Sequence, residues 1–207
     1  MCGICGVYNL SDESIIELST VRAMCDTLVH RGPDDDGYYW DKRIALGMRR
    51  LSIIDVVGGQ QPIWNEDHTC CIVFNGELYN FLDLKYQLEA KGHVFCTRSD
   101  TEVILHAYEE WRADCLDRLN GMFAFAIWDE MTKQLFLARD RIGEKPLYYY
   151  RDQHRLIFAS EIKAILADRT VPRILNNRGL VNYLAFSHAV APETIYQNIL
   201  KLLPGHY

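Results

Sequence analysis

Four β-rich runs in the second half of the chain constrain its fold most strongly. They cover residues 122–128, 134–139, 146–150 and 155–159, and short polar turns separate the outer pairs. Consecutive strands joined by short turns pair in antiparallel fashion, because a parallel pair needs a long crossover connection. We therefore expect an antiparallel sheet in this part of the chain.

The rest of the chain supplies a second set of strands and the helices to cover both sheets. Four further segments are rich in β-forming residues: 3–9, 38–40, 43–47 and 69–74, the last ending at Asn75-Gly76. The second and third are predicted to form a hairpin with a turn at Asp41-Lys42. Apolar residues recur at helical spacing in five segments: 14–29, 80–91, 99–115, 161–167 and 177–187. Ser99 and Glu102 fit a capping box that opens the third helix. By pattern alone, this order predicts an α+β fold of two antiparallel sheets covered by helices.

Length and charge narrow the class of protein. The chain has 207 residues, enough for one sizeable domain and part of another, and 49% of them are hydrophobic. The net charge of −6 gives no electrostatic reason to expect nucleic-acid binding. No apolar run reaches the roughly 18–20 residues of a membrane span, and no secretory signal is visible. We expect neither a nucleic-acid nor a membrane partner.

The cysteines predict a reducing compartment. There are seven of them, an odd number, and they fall on apolar segments instead of forming a disulfide framework. The protein is therefore expected to be cytoplasmic. Cys2 and Cys5 have the spacing of a redox or zinc pair, but no second such pair completes a site, so we expect no metal.

The N-terminus carries the candidate nucleophile. Cys2 follows Met1 directly, and removal of Met1 would leave a thiol and a free α-amine on one residue. An α-amine has an ordinary pKa of about 7.7–8.0, so it can serve as the base for the thiol beside it. If Met1 is retained, the chain is a precursor without that amine. The alternative is an ordinary buried cysteine near the start of the first strand.

Several motifs, in order along the chain, resemble those of the class II glutamine amidotransferases. The shared segments are 1–4, 30–34, 50–53, 74–80, 99–102, 119–125 and 138–149. Each is weak alone, but together and in this order they are highly specific. These enzymes are N-terminal-nucleophile hydrolases, and the match is best to the glutaminase domain of glutamine-hydrolysing asparagine synthetases.

The resemblance implies a fold, an activity and a set of site residues. The fold is a four-layer αββα sandwich, and the activity is hydrolysis of L-glutamine to glutamate and ammonia at Cys2. The implied oxyanion hole is the Asn75 side-chain amide with the Gly76 backbone N–H. The residues of the oxyanion hole are also implied to bind the substrate. Arg50 is implied to bind its α-carboxylate, and Glu77 and Asp100 its α-ammonium. The implied pocket wall consists of Leu51, Ser52, Ile53 and Ile54.

These residue types suit that chemistry. A preorganised donor to a developing oxyanion is worth about 2.7–4 kcal/mol. The arginine fork matches a carboxylate, and two carboxylates suit an ammonium group. The alternative is that these residues have only structural roles. Asn75-Gly76 would then form a tight turn, Asp100 would interact favourably with the helix dipole, and Arg50 would be a surface cation.

The resemblance also implies a second domain. Composition shifts at residues 168–172, so we expect a glutaminase domain over 1–167 and, over 168–207, a linker and the start of a C-terminal synthetase domain. No cofactor is expected in this chain. ATP and magnesium would belong to the C-terminal domain, which would amidate aspartate to asparagine with the ammonia.

Three matters stay open at this level. The same glutaminase could feed another acceptor, such as a sugar phosphate or a different amino acid. The fold could also serve as a non-catalytic binding or assembly module. A homodimer is a further expectation, because the family often forms dimers.

Overall fold

Two antiparallel sheets form the centre of the molecule. The computed structural model describes residues 1–11 and 15–207, which include ten strands and five α-helices. The elements in chain order are β1 (Gly3–Asn9), α1 (Leu18–Asp26), β2 (Asp35–Trp40), β3 (Ile44–Arg50), β4 (Ile63–Trp64), β5 (Cys70–Leu78), α2 (Phe81–Glu89), α3 (Asp100–Trp111), β6 (Gly121–Asp129), β7 (Gln134–Arg139), β8 (Tyr148–Arg151), β9 (Arg155–Ala159), α4 (Ile162–Ile165), α5 (Asn177–Phe186) and β10 (Ile199–Lys201).

Hydrogen bonding divides the strands into two sheets. The first has six strands in the order β10-β8-β9-β1-β3-β2, and the second has four in the order β4-β5-β6-β7. Every strand pair is antiparallel, as the short turns predicted. The central strand β1 pairs with β3 on one side and β9 on the other, which places the N-terminus of the chain in the middle of the first sheet.

Three hydrophobic clusters between the elements give the molecule four layers. The central cluster contains Ile4 from the first sheet and Val73 from the second, so it lies between the sheets. A second cluster packs the first sheet against α1 and α4, and a third packs the second sheet against α2 and α3. The predicted αββα sandwich is confirmed.

Some predicted element boundaries differ from those observed. The first helix is shorter than 14–29: Ser14 lies outside the described residues, and the helix runs only from Leu18 to Asp26. The strand predicted to end at Asn75-Gly76 continues to Leu78, because β5 keeps its pairing with β6 through both residues. An Asn-Gly sequence favours a turn only where the neighbouring strand does not hold it extended.

The start of α3 follows the prediction in part. Ser99 is the N-cap, and its hydroxyl accepts a hydrogen bond from the Thr101 nitrogen at 3.2 Å. Glu102 does not complete the capping box. Its carboxylate accepts hydrogen bonds from the backbone nitrogens of Cys96 and Thr97 at 2.7 and 2.6 Å. The predicted helix through Cys115 ends earlier, and Cys115 lies in a 3₁₀ segment, Arg112–Asp117.

The segment after residue 168 returns to the first sheet. Strand β10 pairs with β8, and Ile199 is fully buried in the cluster beneath α1 and α4. No helix among the described residues is long and apolar enough to cross a membrane.

Candidate active site

A cavity of about 200 Å³ lies where β1, the end of β3, β5 and the start of α3 meet. It brings together residues that are far apart in the sequence. The predicted site residues that line it are Cys2, Arg50, Leu51, Ile53, Ile54, Asn75, Gly76, Glu77 and Asp100. Ser52 lies outside this lining, and its backbone nitrogen instead donates a hydrogen bond to Asp34 at 2.9 Å.

The alternation of side chains along β1 and β5 explains why Cys2 and Asn75 meet. Ile4 and Val73 belong to the cluster between the two sheets, whereas Cys5 and Phe74 belong to the outer clusters. Residues two apart on a strand lie on the same face. Asn75 therefore shares the inner face with Val73. Cys2, two residues before Ile4, packs against the same inner cluster.

The Cys2 thiol contacts the backbone of Leu51. Its Sγ accepts a hydrogen bond from the Leu51 nitrogen at 3.4 Å and lies 3.7 Å from the Leu51 oxygen. Burial raises the pKa of the Cys2 thiol, and the Leu51 N–H and the Arg50 charge offset this only in part. The thiol is therefore protonated at neutral pH and needs a base before it can act as a nucleophile.

The backbone around Cys2 is held on both sides. Arg31 donates a hydrogen bond from Nε to the Cys2 oxygen at 2.9 Å, and its Nη1 contacts Glu161 at 3.0 Å. The Ile4 nitrogen donates to the Ser160 hydroxyl at 3.0 Å. These contacts fix the direction in which the chain enters β1, and so the position of the thiol.

Asn75 is fully buried, yet neither polar atom of its side-chain amide has a hydrogen-bond partner within residues 1–11 and 15–207. A buried polar group without a partner costs about 1–3 kcal/mol, so folding tolerates it rarely. The amide lines the cavity. An unsatisfied donor in that position is available to a ligand oxygen.

Gly76 is the residue at which a side chain cannot be accommodated. A Cβ atom there would lie 2.2 Å from the Met122 oxygen and 2.8 Å from the Phe123 Cα, both on the neighbouring strand β6. The glycine lets β5 and β6 pair closely, and Gly76 also lies in the wall of the cavity, where a ligand can approach its backbone without meeting a side chain.

Arg50 is buried and closes a loop of the cavity wall. Its guanidinium donates hydrogen bonds to the backbone oxygens of Ile54, Asp55 and Val56 at 3.1, 2.7 and 3.1 Å. An arginine has five N–H donors, so the Nε–H and one Nη1–H have no part in these three bonds.

Asp100 supplies a buried carboxylate at the first turn of α3. Its Oδ2 accepts a hydrogen bond from the Leu78 nitrogen at 2.9 Å. Burial raises the pKa of Asp100, while the N–H groups of Leu78 and Thr101 act in the opposite direction. Glu77 lies on the inner face of β5, two residues after Asn75, and is only partly buried. The two carboxylates give this part of the cavity a negative charge.

Sequence reasoning missed several lining residues. Gln61 is buried, accepts a hydrogen bond from the Phe74 nitrogen at 2.7 Å and donates to Thr101 at 3.2 Å. Lys145 is also buried, and its Nζ lies 3.5 Å from the Met1 sulfur. Gln61 and Lys145 come from loops between elements, where no periodic pattern marks a residue as facing inward. The only available signal for Lys145 was its place in the 138–149 motif.

Comparison with solved structures identifies the class of fold. Glutamine phosphoribosylpyrophosphate amidotransferase from B. subtilis matches 80% of this chain and 43% of its own, with a TM-score of 0.65 and 24% identity. A structure described as the allosteric regulatory enzyme of purine biosynthesis matches with a TM-score of 0.66. The chain therefore shares the fold of the matched part of these two structures.

Sequence comparison then gives the family. The family model of the glutamine amidotransferase domain matches residues 1–207. Asparagine synthetase [glutamine-hydrolyzing] 3 of Bacillus subtilis is 43% identical over 209 residues, and asparagine synthetase [glutamine-hydrolyzing] 1 of the same organism is 42% identical over 207. The chain belongs to the glutamine amidotransferase domain family. It spans about a third of the length of these relatives, 34% and 33%.

Proposed function

We propose that this chain hydrolyses L-glutamine to L-glutamate and ammonia through a thioester on Cys2. The observation that carries the proposal is the buried Asn75 amide, which has no hydrogen-bond partner in the part of the chain that the structure describes and lines the same cavity as the Cys2 thiol. The glutamine-hydrolysing relatives named above support the choice of substrate.

The proposed reaction has two stages. The sulfur of Cys2 forms a bond to the carboxamide carbon of glutamine, and the carbonyl electron pair moves to the oxygen, where Asn75 and the Gly76 N–H donate hydrogen bonds. The thiol proton passes to the α-amine that removal of Met1 exposes on Cys2, and from there to the leaving nitrogen. The C–N bond breaks and ammonia departs. Water then attacks the thioester carbon, the C–S bond breaks, and glutamate and the thiol are released.

Substrate selection would depend on the charges at the other end of the cavity. Arg50 has donors left for an α-carboxylate, while Glu77 and Asp100 would hold the α-ammonium. Only a free amino acid presents both groups. A glutamine side chain within a protein would leave the buried Asp100 unpaired and be rejected for that reason.

The test is ammonia release from glutamine by the full-length protein, measured together with its intact mass. Cys2→Ala is expected to abolish ammonia release with the fold preserved. Cys96→Ala, at an exposed thiol outside the cavity, is the matched control and should keep parental activity. Activity in Cys2→Ala would overturn the proposal, as would an inactive parent whose mass shows that Met1 has been removed.

We further propose that the ammonia is used by a C-terminal synthetase domain. The greater length of the relatives supports this, as do the exposed apolar side chains of α5, Val181, Leu184 and Phe186. In this proposal residues 1–167 are the glutaminase unit and residues 168–207 lead to the synthetase domain. Aspartate would be the acceptor there, and ATP and magnesium would bind in that domain.

The seven unpaired thiols support a reducing, cytoplasmic compartment for the protein. The expected homodimer stays a prediction. Size-exclusion chromatography with light scattering would test it directly.

A further inference from the structure

A cluster of two histidines and two glutamates lies outside the proposed active site, against the outer face of the second sheet. It contains Glu66 from the β4–β5 loop, His93 from the α2–α3 loop, and His106 and Glu109 from α3. One ligand atom from each residue lies within 4.8 Å of those of the other three. Three separate segments of the chain therefore converge on one point.

The distances in the cluster are close to those of a tetrahedral metal site. His106 Nδ1 lies 2.7 Å from Glu109 Oε2 and 3.6 Å from Glu66 Oε2, and His93 Nδ1 lies 3.9 Å from Glu109 Oε2. Zinc bonds to nitrogen and oxygen of about 2.0–2.2 Å place neighbouring ligand atoms about 3.3–3.5 Å apart. Small side-chain movements would bring all four atoms to that spacing.

The second ring nitrogen of each histidine lies near a further carboxylate. His106 Nε2 is 3.7 Å from Glu102 Oε1 and makes no hydrogen bond within the described residues, and His93 Nε2 is 3.5 Å from Glu110 Oε2. Metal-binding histidines usually donate this second N–H to a carboxylate, and both rings have a carboxylate close to the position where that acceptor is needed. These outer carboxylates are themselves held. The backbone nitrogens of Cys96 and Thr97 bind Glu102, and Lys91 contacts Glu110 at 2.6 Å.

Burial and charge also suit a cation. The His106 side chain is fully buried, and that of Glu66 is 38% exposed, so the cluster is enclosed but has a route to solvent. Four carboxylates surround the two imidazoles, with Lys91 as the nearby fixed cation. A divalent ion would offset the excess negative charge. Asn65 also donates to Glu109 Oε1 at 2.6 Å, which leaves Oε2 to face the cluster.

We propose that Glu66, His93, His106 and Glu109 bind a divalent transition-metal ion of the zinc type. Nitrogen and carboxylate ligands in a four-membered set are typical of zinc. The ion would fasten the β4–β5 and α2–α3 loops to α3, the helix that carries Asp100 at its first turn. The sequence did not predict this site, because its histidines are 13 positions apart and follow no metal-binding motif.

The competing occupant of the site is a proton, because a histidine must be neutral before it can bind a metal ion. A site built only for a protonated histidine would show no zinc binding.

The experiment is zinc titration of chelator-treated full-length protein by calorimetry, with the melting temperature measured in parallel. Both use a Cys2→Ser, Cys96→Ser background, which removes the two accessible thiols. We expect one equivalent to bind and to raise the melting temperature. His93→Gln and Glu66→Gln, at partly exposed positions, should each weaken binding at least tenfold and abolish the melting shift. Glu110→Ala, which removes an outer carboxylate, should weaken binding about 10- to 100-fold.

Matched controls separate this site from adventitious binding. His154→Gln and Glu89→Gln change an exposed histidine and an exposed glutamate outside the cluster and should leave zinc affinity unchanged. The proposal is overturned if the parent binds no stoichiometric zinc at pH 8, or if His93→Gln and Glu66→Gln bind as tightly as the controls. All of these readouts are independent of ammonia release, so they do not depend on the proposed function.

Discussion

The sulfur of Cys2 accepts a hydrogen bond from the backbone nitrogen of Leu51, 49 positions further along the chain. This bond joins the residue before β1 to the residue that follows β3. Since β1 and β3 are paired neighbours in the first sheet, the thiol is positioned by backbone rather than by a flexible side chain.

Replacing Asn75 by alanine should separate activity from stability. The amide would act on the transition state, so we expect kcat for glutamine hydrolysis to fall about 100- to 1,000-fold with little change in KM. The free energy of unfolding should stay the same or rise, because the variant removes a buried amide without partners. Steady-state kinetics and urea unfolding measure the two effects. The control is Asn177→Ala, at an exposed position of α5, which should change neither the kinetics nor the free energy of unfolding. A rise in KM alone in Asn75→Ala would mean that Asn75 only binds substrate.

Replacing Arg50 by lysine should weaken glutamine binding. Lysine keeps the charge but loses the fork, and a hydrogen bond to a charged group is worth about 1.5–3 kcal/mol. We expect KM to rise by about one to two orders of magnitude with a smaller change in kcat. The neighbouring Arg49→Lys is the control, since Arg49 contacts Asp26 and Asp36 outside the cavity. Equal KM values for the two variants would refute the role proposed for Arg50.

The KM for glutamine should depend on the ionisation of Asp100. Burial raises the pKa of this carboxyl, so it takes up a proton at a higher pH than an ordinary aspartate. Only the ionised form attracts an ammonium group, and KM should therefore rise as pH falls through that raised pKa. In Asp100→Asn, KM should be high and nearly independent of pH in the same range. The control is Asp83→Asn, at an exposed position of α2, which should keep the parental dependence of KM on pH. If Asp100→Asn also kept that dependence, Asp100 would not be the group that binds the ammonium.

Replacing Gly76 by alanine should damage both fold and activity. The new Cβ would meet backbone atoms of β6 at 2.2 and 2.8 Å, and backbone cannot move aside as a side chain can. Overpacking of this kind costs about 1–3 kcal/mol or more. Gly92→Ala has a positive φ of 103° but no atom within 4 Å, so it measures backbone strain alone. The melting temperatures of the two variants are compared by thermal unfolding. If Gly76→Ala melted at the same temperature as Gly92→Ala, strands β5 and β6 could accommodate the added Cβ without loss of stability.

The sequence predicted the fold well where β-rich runs and turns were distinct. These runs and the short turns between them were enough for the antiparallel strands β6, β7 and β9, and the motif order was enough for the αββα sandwich. The end of β5 was wrong, because local propensity does not include pairing with a neighbouring strand. The Asn75-Gly76 pair shows this directly, since it remains extended only through its pairing with β6.

The site was predictable only as far as motifs reached. Cys2, Asn75 and Asp100 were named from their motifs, and the structure brings them to one cavity. Gln61 lies in a loop whose inward direction depends on contacts with Phe74 and Thr101, and no sequence pattern records such contacts. The hydrogen bonds from Arg50 to the backbone of the following loop could not be predicted either, because they too depend on contacts that no sequence pattern records.

Those three bonds from Arg50 to the oxygens of Ile54, Asp55 and Val56 bear on how tightly a small ligand can be held. Ordering a loop costs conformational entropy, and the cost lowers affinity when the loop orders only on ligand binding. Here Arg50 orders the loop in the folded protein, so the loop loses its conformational entropy during folding and not during ligand binding. A ligand as small as one amino acid, with few atoms to contribute, can then use nearly all of its contacts for affinity.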